Sequence, residues 1–231
     1  MQLGLSEFEK LKKEVPISTN RAAQAMLERV GKRIAAVAQL PNAQWEFVLF
    51  ESKEANAFCL PGGKVGVYTG ILPITQNEAG LATVIGHEVA HAAARHGAER
   101  ISTALALQTG GQLASGLLGG DDPKKAQTVA TAYGIGSQLL VALPHSRKQE
   151  SEADYIGLLY MARAGYDPRE AIAFWQRFAE YNRQAGGGGV WFLRTHPLDE
   201  KRIADLKALL PRALQEYEAA RAGQKAPTGR R

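Results

Sequence analysis

Apolar positions along the chain change their period several times, and each change marks a predicted element. Across residues 20–39, Ala23, Leu27, Val30, Ile34, Val37 and Ala38 recur every three or four residues, with Pro41 just beyond. That spacing predicts an amphipathic helix laid on a core. Trp45 to Phe50 is a short aromatic and β-branched run, which predicts a strand. Asn56-Ala57-Phe58-Cys59-Leu60 follows and is turned by Pro61-Gly62-Gly63, after which Val65, Val67 and Tyr68 predict a further strand ending at Gly70. Together these runs predict a sheet of two to four strands.

The period then returns to helical. Ala82, Val84, Ile85, Val89, Ala90 and Ala93 make residues 78–96 apolar on most sides, so a buried helix is expected there. Asn77 is its natural N-cap, Glu78 complements its dipole, and Gly97 suits the position just past its end. From Arg100 to Leu143 the chain becomes rich in Ala, Leu, Gly, Gln, Ser and Thr, and its glycines divide it. Two helices around a mobile Gly119-Gly120-Asp121-Asp122-Pro123 loop are expected, and Gly186 to Gly189 forms a second flexible loop. Ser146-Arg147-Lys148-Gln149 has the form of a capping box for a helix reaching Ala164. Asp167-Pro168-Arg169-Glu170 opens another with Pro at its first position, and its stripe Ile172, Trp175, Phe178 and Ala179 belongs to the core. After Thr195-His196-Pro197 a charged helix runs to about Ala220. The sum is an α+β chain, mostly helical with one small sheet.

Composition changes this picture little. The 231 residues, 45% of them hydrophobic, suit one domain over residues 1–220 with a catalytic core at about 44–203. No run of 18 apolar residues is present, and Met1 to Glu14 lacks the apolar centre of a signal peptide, although a trimmed precursor would look the same. The net charge is +5, of which Arg221, Lys225, Arg230 and Arg231 supply four in a stretch, 221–231, that has no acid and reads as a disordered basic tail. No nucleic-acid site is expected, and neither glycine run has the strand-then-helix setting of a phosphate loop. The single cysteine, Cys59, excludes an internal disulfide and a cysteine-built zinc cage.

The chemistry concentrates in His87-Glu88-Val89-Ala90-His91. Two histidines four apart share one face of a helix, so their imidazoles can close on one metal ion without bending the backbone. Glu88 projects about 100° from His87, beside the ion rather than on it, where a general base belongs. The plain alternative is a buried helix with two hydrogen-bonded core histidines. A catalytic zinc held by two histidines needs a third protein ligand and an open fourth position. A third histidine in the H-E-x-x-H-x-x-G-x-x-H pattern fails, because Ala94 and Gly97 stand at those places. His96 would lie about 140° from His91 on a continuous helix, and reads as a capping or supporting residue. Glu150-Ser151-Glu152-Ala153-Asp154 offers the better answer. Glu150 and Asp154 share a face, so Glu150 can bind zinc while Asp154 accepts the spare N–H of a ligating histidine. The plain alternative here is a solvated acidic patch near Arg147 and Lys148.

With Asn56-Ala57-Phe58, Leu60-Pro61-Gly62-Gly63, Gly70-Ile71-Leu72, Ala94-Arg95-His96-Gly97, Ser146-Arg147 and Thr195-His196-Pro197, these motifs resemble the HtpX/CAAX-prenyl-protease family of zinc metalloendopeptidases. The resemblance covers roughly Asn56 to Ile203 and is nearest to the soluble BepA/LoiP/Oma-like branch. It implies a compact gluzincin fold, with an active-site helix, a glutamate helix, and a small sheet whose edge strand (Asn56, Ala57, Phe58) holds extended protein or peptide substrate. It also implies one zinc ion on His87, His91 and Glu150, with Glu88 as the base in peptide hydrolysis. His196 would be either an oxyanion donor, assisted by Arg202, or a fourth ligand that closes the resting site. The resemblance further implies protein quality control, in the bacterial periplasm or at the soluble side of a membrane once a signal segment is removed. Missing membrane spans and helical repeats set the chain apart from other members and make prenylated substrates poor candidates. Glycines at 110–122 would let that stretch act as a lid, and His145, next to the glutamate helix, would be a loop histidine or one within reach of the metal. Two other classes remain in view: a metal-binding chaperone without hydrolysis, against which the intact Glu88 argues, and a membrane-surface module built on residues 100–143 and the tail.

Overall fold

The computed structural model describes residues 2–103, 145–185, 191–197 and 200–225. The elements are α1 (Gln2–Glu14), α2 (Arg21–Ala35), β1 (Glu46–Phe50), β2 (Ala57–Leu60), β3 (Lys64–Tyr68), α3 (Leu72–Thr75) and α4 (Glu78–Ala93), then α5 (Arg147–Arg163), α6 (Arg169–Gln184), α7 (Trp191–Thr195) and α8 (Glu200–Lys225). A further helical stretch occupies 96–103. The α+β reading holds: helices dominate, and one three-stranded sheet runs in the order β1-β3-β2. β3 is central, parallel to β1 and antiparallel to β2, with Phe58 opposite Gly66. β2 is therefore an edge strand among the described residues.

Side chains alternate across this sheet, so each face builds its own core. One face, with Leu49, Val65 and Val67, packs with Leu27, Val30 and Ile34 of α2, Leu81, Val84, Ile85 and Val89 of α4, and the aromatic stripe Phe174, Trp175 and Phe178 of α6. The other face, with Val48, Phe50, Phe58, Leu60 and Tyr68, is covered by α1 through the fully buried Phe8. The charged N-terminus had carried no predicted element. Phe8, Leu11 and Val15, at helical spacing, form its apolar side, and Phe8 meets Phe50 and Phe58 edge-on. Burying that ring contributes about 1.5–3 kcal/mol.

Local signals set most boundaries. Asn77 Oδ1 accepts the Gly80 N–H, and Ser146 and Gln149 form the reciprocal capping box. Pro168 proves to be the cap of α6 rather than its first residue, and Asp167 Oδ1 accepts the Arg169 N–H. Gly97 does not end α4. Arg95 takes the left-handed position instead (φ 59°), and the chain resumes a helix at His96. α8 continues to Lys225, so residues 221–225 are helical rather than part of a disordered tail. The two helices and lid expected at 100–143, the loop at 186–189 and the tail beyond Lys225 lie largely or wholly outside the described residues. Among the described residues, no helix is long and apolar enough to cross a membrane.

The pairing that matters most for chemistry is α4 against α5. A Cβ added at Gly86 would lie 2.9 Å from the carbonyl oxygen of Gly157, and one added at Gly157 would lie 2.8 Å from the His87 nitrogen. Two glycines thus let the helix backbones touch, and this contact brings Glu150 and Asp154 within reach of His87.

Candidate metal centre and cleft

His87 and His91 leave one face of α4, and Glu150 leaves the first turn of α5 to meet them. His196 comes from the residue after α7, where its N–H is held by the Phe192 carbonyl (2.7 Å) and its ring stacks on Phe192 (centroids 4.3 Å). Their donor atoms converge. His87 Nε2 lies 3.0 Å from His91 Nε2, 3.3 Å from His196 Nδ1 and 3.5 Å from Glu150 Oε2. Glu150 Oε1 lies 3.2 Å from His91 Nε2 and 2.9 Å from His196 Nδ1. A tetrahedral ion with bonds of 2.0–2.1 Å separates its ligands by about 3.3 Å. The spacing of these four side chains fits such an ion, and their three imidazoles and one carboxylate suit a borderline metal.

The electrostatics fit the same purpose. Glu150 is fully buried, yet against the cost of burial His196, His87 and His91 hold its carboxyl well below the ordinary range. Burial alone would depress His87, but Asp154 and Glu150 overcome it and raise it to about 9. A cation entering at neutral pH therefore displaces a proton from His87. His91 is pushed well below its usual value, chiefly by burial, and so offers a lone pair. Glu88 is buried and its carboxyl is pushed upward, first by burial and also by Glu150. Its Oε1 has no hydrogen-bond partner among the described residues; His196 Nε2 is 3.4 Å away.

Asp154 lies 3.0 Å from His87 Nδ1, the nitrogen turned away from the cluster. Arg202, four per cent exposed, grips Asp154 with two nitrogens (2.7 and 2.8 Å), reaches Glu150 Oε2 at 2.6 Å, and donates to the Pro197 carbonyl at 2.8 Å. Its guanidinium lies over the Trp175 ring, which also meets His87 edge-on. Arg202 was expected to assist an oxyanion, and the structure places it behind the ligands. Its charge is directed to the two carboxylates, and it is not among the side chains lining the cleft.

That cleft encloses about 690 Å³ and opens beside Glu88, His91 and His196. Asn56, Ala57, Phe58, Cys59 and Leu60 form one wall, so the edge strand and the metal cluster face the same space. The Tyr68 N–H donates to the Asn56 carbonyl (2.9 Å), which turns that residue toward β3. By strand alternation, the main-chain groups of Ala57 and Cys59 point outward. Asn56 Oδ1 already accepts the Ala57 N–H at 2.9 Å.

Sequence reasoning undervalued three residues. His145, read as a loop histidine or one within reach of the metal, lies tilted against His91 (3.9 Å) and stacks on His196 (4.8 Å) inside the cleft. Arg100 lines the cleft one turn beyond His96. Trp175 is core, as its stripe implied, but it also carries Arg202 and His87. His145 stands beside the capping box and Arg100 four after His96; those spacings were the available signal.

The family model described as peptidase family M48 matches residues 21–210. The mitochondrial metalloendopeptidase OMA1 of Saccharomyces cerevisiae is 41% identical over 187 residues, 78% of this chain and 51% of that protein. The mitochondrial metalloendopeptidase OMA1 of Schizosaccharomyces pombe is 39% identical over 203 residues, 83% and 54%. The beta-barrel assembly-enhancing protease of Escherichia coli K12 is 28% identical over 210 residues, 90% and 43%. The chain spans about half the length of these curated relatives.

Proposed function

This chain belongs to peptidase family M48, a family of metallopeptidases, and from that premise we propose that it is a zinc-dependent endopeptidase that cleaves extended segments of unfolded or misassembled proteins. The observation that carries the reading is the convergence of His87, His91 and Glu150 beside Glu88, beneath an edge strand that walls the same cleft. Zinc held by those three side chains would polarise the scissile carbonyl and acidify a water. Glu88 takes the proton from that water and passes it to the leaving amine. The upward push that burial gives its carboxyl suits a group that must hold a proton for part of each cycle.

His196 has two uses in this scheme. Its Nδ1 stands beside His87 Nε2 and Glu150 Oε1, so at rest it would help hold the ion and close the site. Displaced by substrate, the same ring would donate to the oxyanion that forms on the carbonyl. Asp154 fixes the His87 ring, and Arg202 holds Asp154 and Glu150 in register.

Substrate pairing through the outward main-chain groups of β2 selects for an extended backbone rather than a particular side chain. Such loose selection suits protein quality control, and the names of the relatives, a mitochondrial metalloendopeptidase and a beta-barrel assembly-enhancing protease, support it. We place the protein on the soluble side of a membrane, in the periplasm of a bacterium, where it would meet unassembled membrane proteins. The decisive measurement compares wild type with Glu88→Gln for zinc content and for cleavage of a reduced, unfolded protein. Glu88→Gln should keep its zinc and lose about 10²–10⁴-fold in rate. Cleavage at the wild-type rate would overturn the reading.

A further inference from the structure

The two ligand histidines of α4 present the same nitrogen, Nε2, to the cluster, so with a metal ion on those nitrogens each would carry its proton on Nδ1. Each Nδ1–H therefore needs an acceptor. For His87 that acceptor is Asp154. For His91 the neighbour is another imidazole, His96 Nδ1, at 2.9 Å. Two ring nitrogens at that distance are joined by one proton: if both carried protons they would clash, and if both were bare their lone pairs would repel. Because His91 must donate, His96 must accept through Nδ1 and carry its own proton on Nε2. That Nε2 lies 3.5 Å from Glu152 Oε2, on a side chain 49% exposed. The contact exists because α4 breaks at Arg95. On a continuous helix His96 would point about 140° away from His91. The left-handed Arg95 restarts the helix so that the buried His96 ring returns to His91. Gln149 of α5 holds the restarted segment through Glu99 at 2.8 Å.

We propose that His96 and Glu152 are positioning residues for the metal site, forming a hydrogen-bonded chain that fixes the tautomer and ring plane of His91 and ends at a half-exposed carboxylate. This rests on the zinc-site reading and deepens it. The two ligands are thus supported differently. His87 leans on a buried carboxylate held by Arg202, whereas His91 leans on a relay that reaches the surface. α5 supplies both, through Asp154 on its buried side and Glu152 on its flank. Removing Glu152 would then loosen one zinc ligand from outside the cleft.

The test reads zinc affinity by competition with a chromophoric chelator, and the His91 tautomer from ¹⁵N shifts of the zinc-free protein. Wild type should show His91 protonated on Nδ1. His96→Leu should mix the tautomers and weaken zinc binding by about 10–100-fold, the usual cost of losing a ligand's hydrogen-bond partner. His96→Asn keeps an oxygen acceptor near the Nδ1 position and should recover most of the affinity. Glu152→Ala, at the surface, should mix the tautomers with a smaller loss of zinc. If His96→Leu fails to fold, the Glu152→Ala tautomer decides alone. Wild-type zinc affinity and an unmixed His91 tautomer in both variants would overturn the chain. His87→Ala, run in parallel, separates this failure from failure of the site itself. Zinc lost in His87→Ala but kept in His96→Leu sinks only the chain, and zinc kept in both sinks the site. Two zinc equivalents in wild type, with one lost in His96→Leu, would also overturn it. That result would favour a cation held between His91, His96 and His145, whose ligand atoms lie within 4.8 Å of one another.

Discussion

The seam between α4 and α5 and the free edge of β2 face the same cleft but are built on opposite terms. On the seam, His87, Glu88, His91, Glu150 and Asp154 are each no more than 5% exposed, and the glycines behind them leave no slack between the backbones. The charges there face named partners, Glu88 the most loosely, with His196 Nε2 3.4 Å from its Oε1. The edge carries one buried polar side chain, Asn56, and otherwise offers main-chain groups and small or apolar neighbours. The difference follows from the tasks. A metal site tolerates ligand errors of a few tenths of an ångström, so packing must over-determine it. Backbone pairing repeats along any extended chain, so the edge need only stay open.

The largest expected effect comes from breaking the seam electrically. Arg202 is the cation shared by Asp154 and Glu150, and Arg202→Met would remove the guanidinium that both buried carboxylates contact. Removing one partner from a buried ion pair costs about 3–5 kcal/mol. Arg202→Lys should recover little, because a point charge cannot reproduce the two-nitrogen grip on Asp154. Thermal unfolding of the zinc-free proteins checks this. A loss under about 1 kcal/mol in Arg202→Met would show that the seam does not depend on that clamp.

Breaking the seam sterically should have a smaller effect, and it has an internal control. Gly157→Ala gains about 1 kcal/mol of helix propensity but places a methyl group against the His87 backbone, which cannot rotate aside. Overpacking of this kind costs about 1–3 kcal/mol, so the balance should be destabilising, with weaker zinc retention as the helices part. Gly223→Ala on α8, with nothing within 4 Å of its added methyl, should keep the propensity gain and stabilise the protein by up to about 1 kcal/mol. Equal effects from the two substitutions would deny the backbone contact its role.

These two regions were also unequally legible in the sequence. The ligand pair on α4 followed from helical period alone, and Glu150 with Asp154 from the same rule applied sixty residues later. Both are local regularities, and the capping residues Asn77 and Ser146 are local too. What the sequence hid was tertiary. Nothing near Gly157 announces that it will meet Gly86, and nothing near Arg202 announces its carboxylate partners, which lie 48 and 52 positions away. His96 was misplaced by about 140° for one reason: a continuous helix was assumed where Arg95 adopts φ 59°. The N-terminal helix is hidden in the sequence because its charges mask the spacing of Phe8, Leu11 and Val15. Only packing on Phe50 and Phe58 gives that spacing meaning.

The smallest effect should come from the edge, where backbone and side chain can be separated at one residue. Cys59 sits in the cleft wall with its main chain turned outward, while Phe58 and Leu60 pair with Gly66 and Lys64 of β3. If recognition runs through the backbone, Cys59→Ala should leave peptide cleavage unchanged. Cys59→Pro deletes one outward donor without removing a bond to β3, and proline is tolerated on an edge strand whose N–H faces away from the sheet. One hydrogen bond to substrate contributes about 0.5–1.5 kcal/mol, so kcat/KM should fall about 2–10-fold. The fall should appear in KM with kcat held, because the pairing is equally present in the bound substrate and at the barrier. Unfolding stability should change by less than about 1 kcal/mol, well below the Arg202→Met effect. A Cys59→Ala variant that loses as much activity as Cys59→Pro would assign recognition to the side chain, and the edge would then be as specific as the seam.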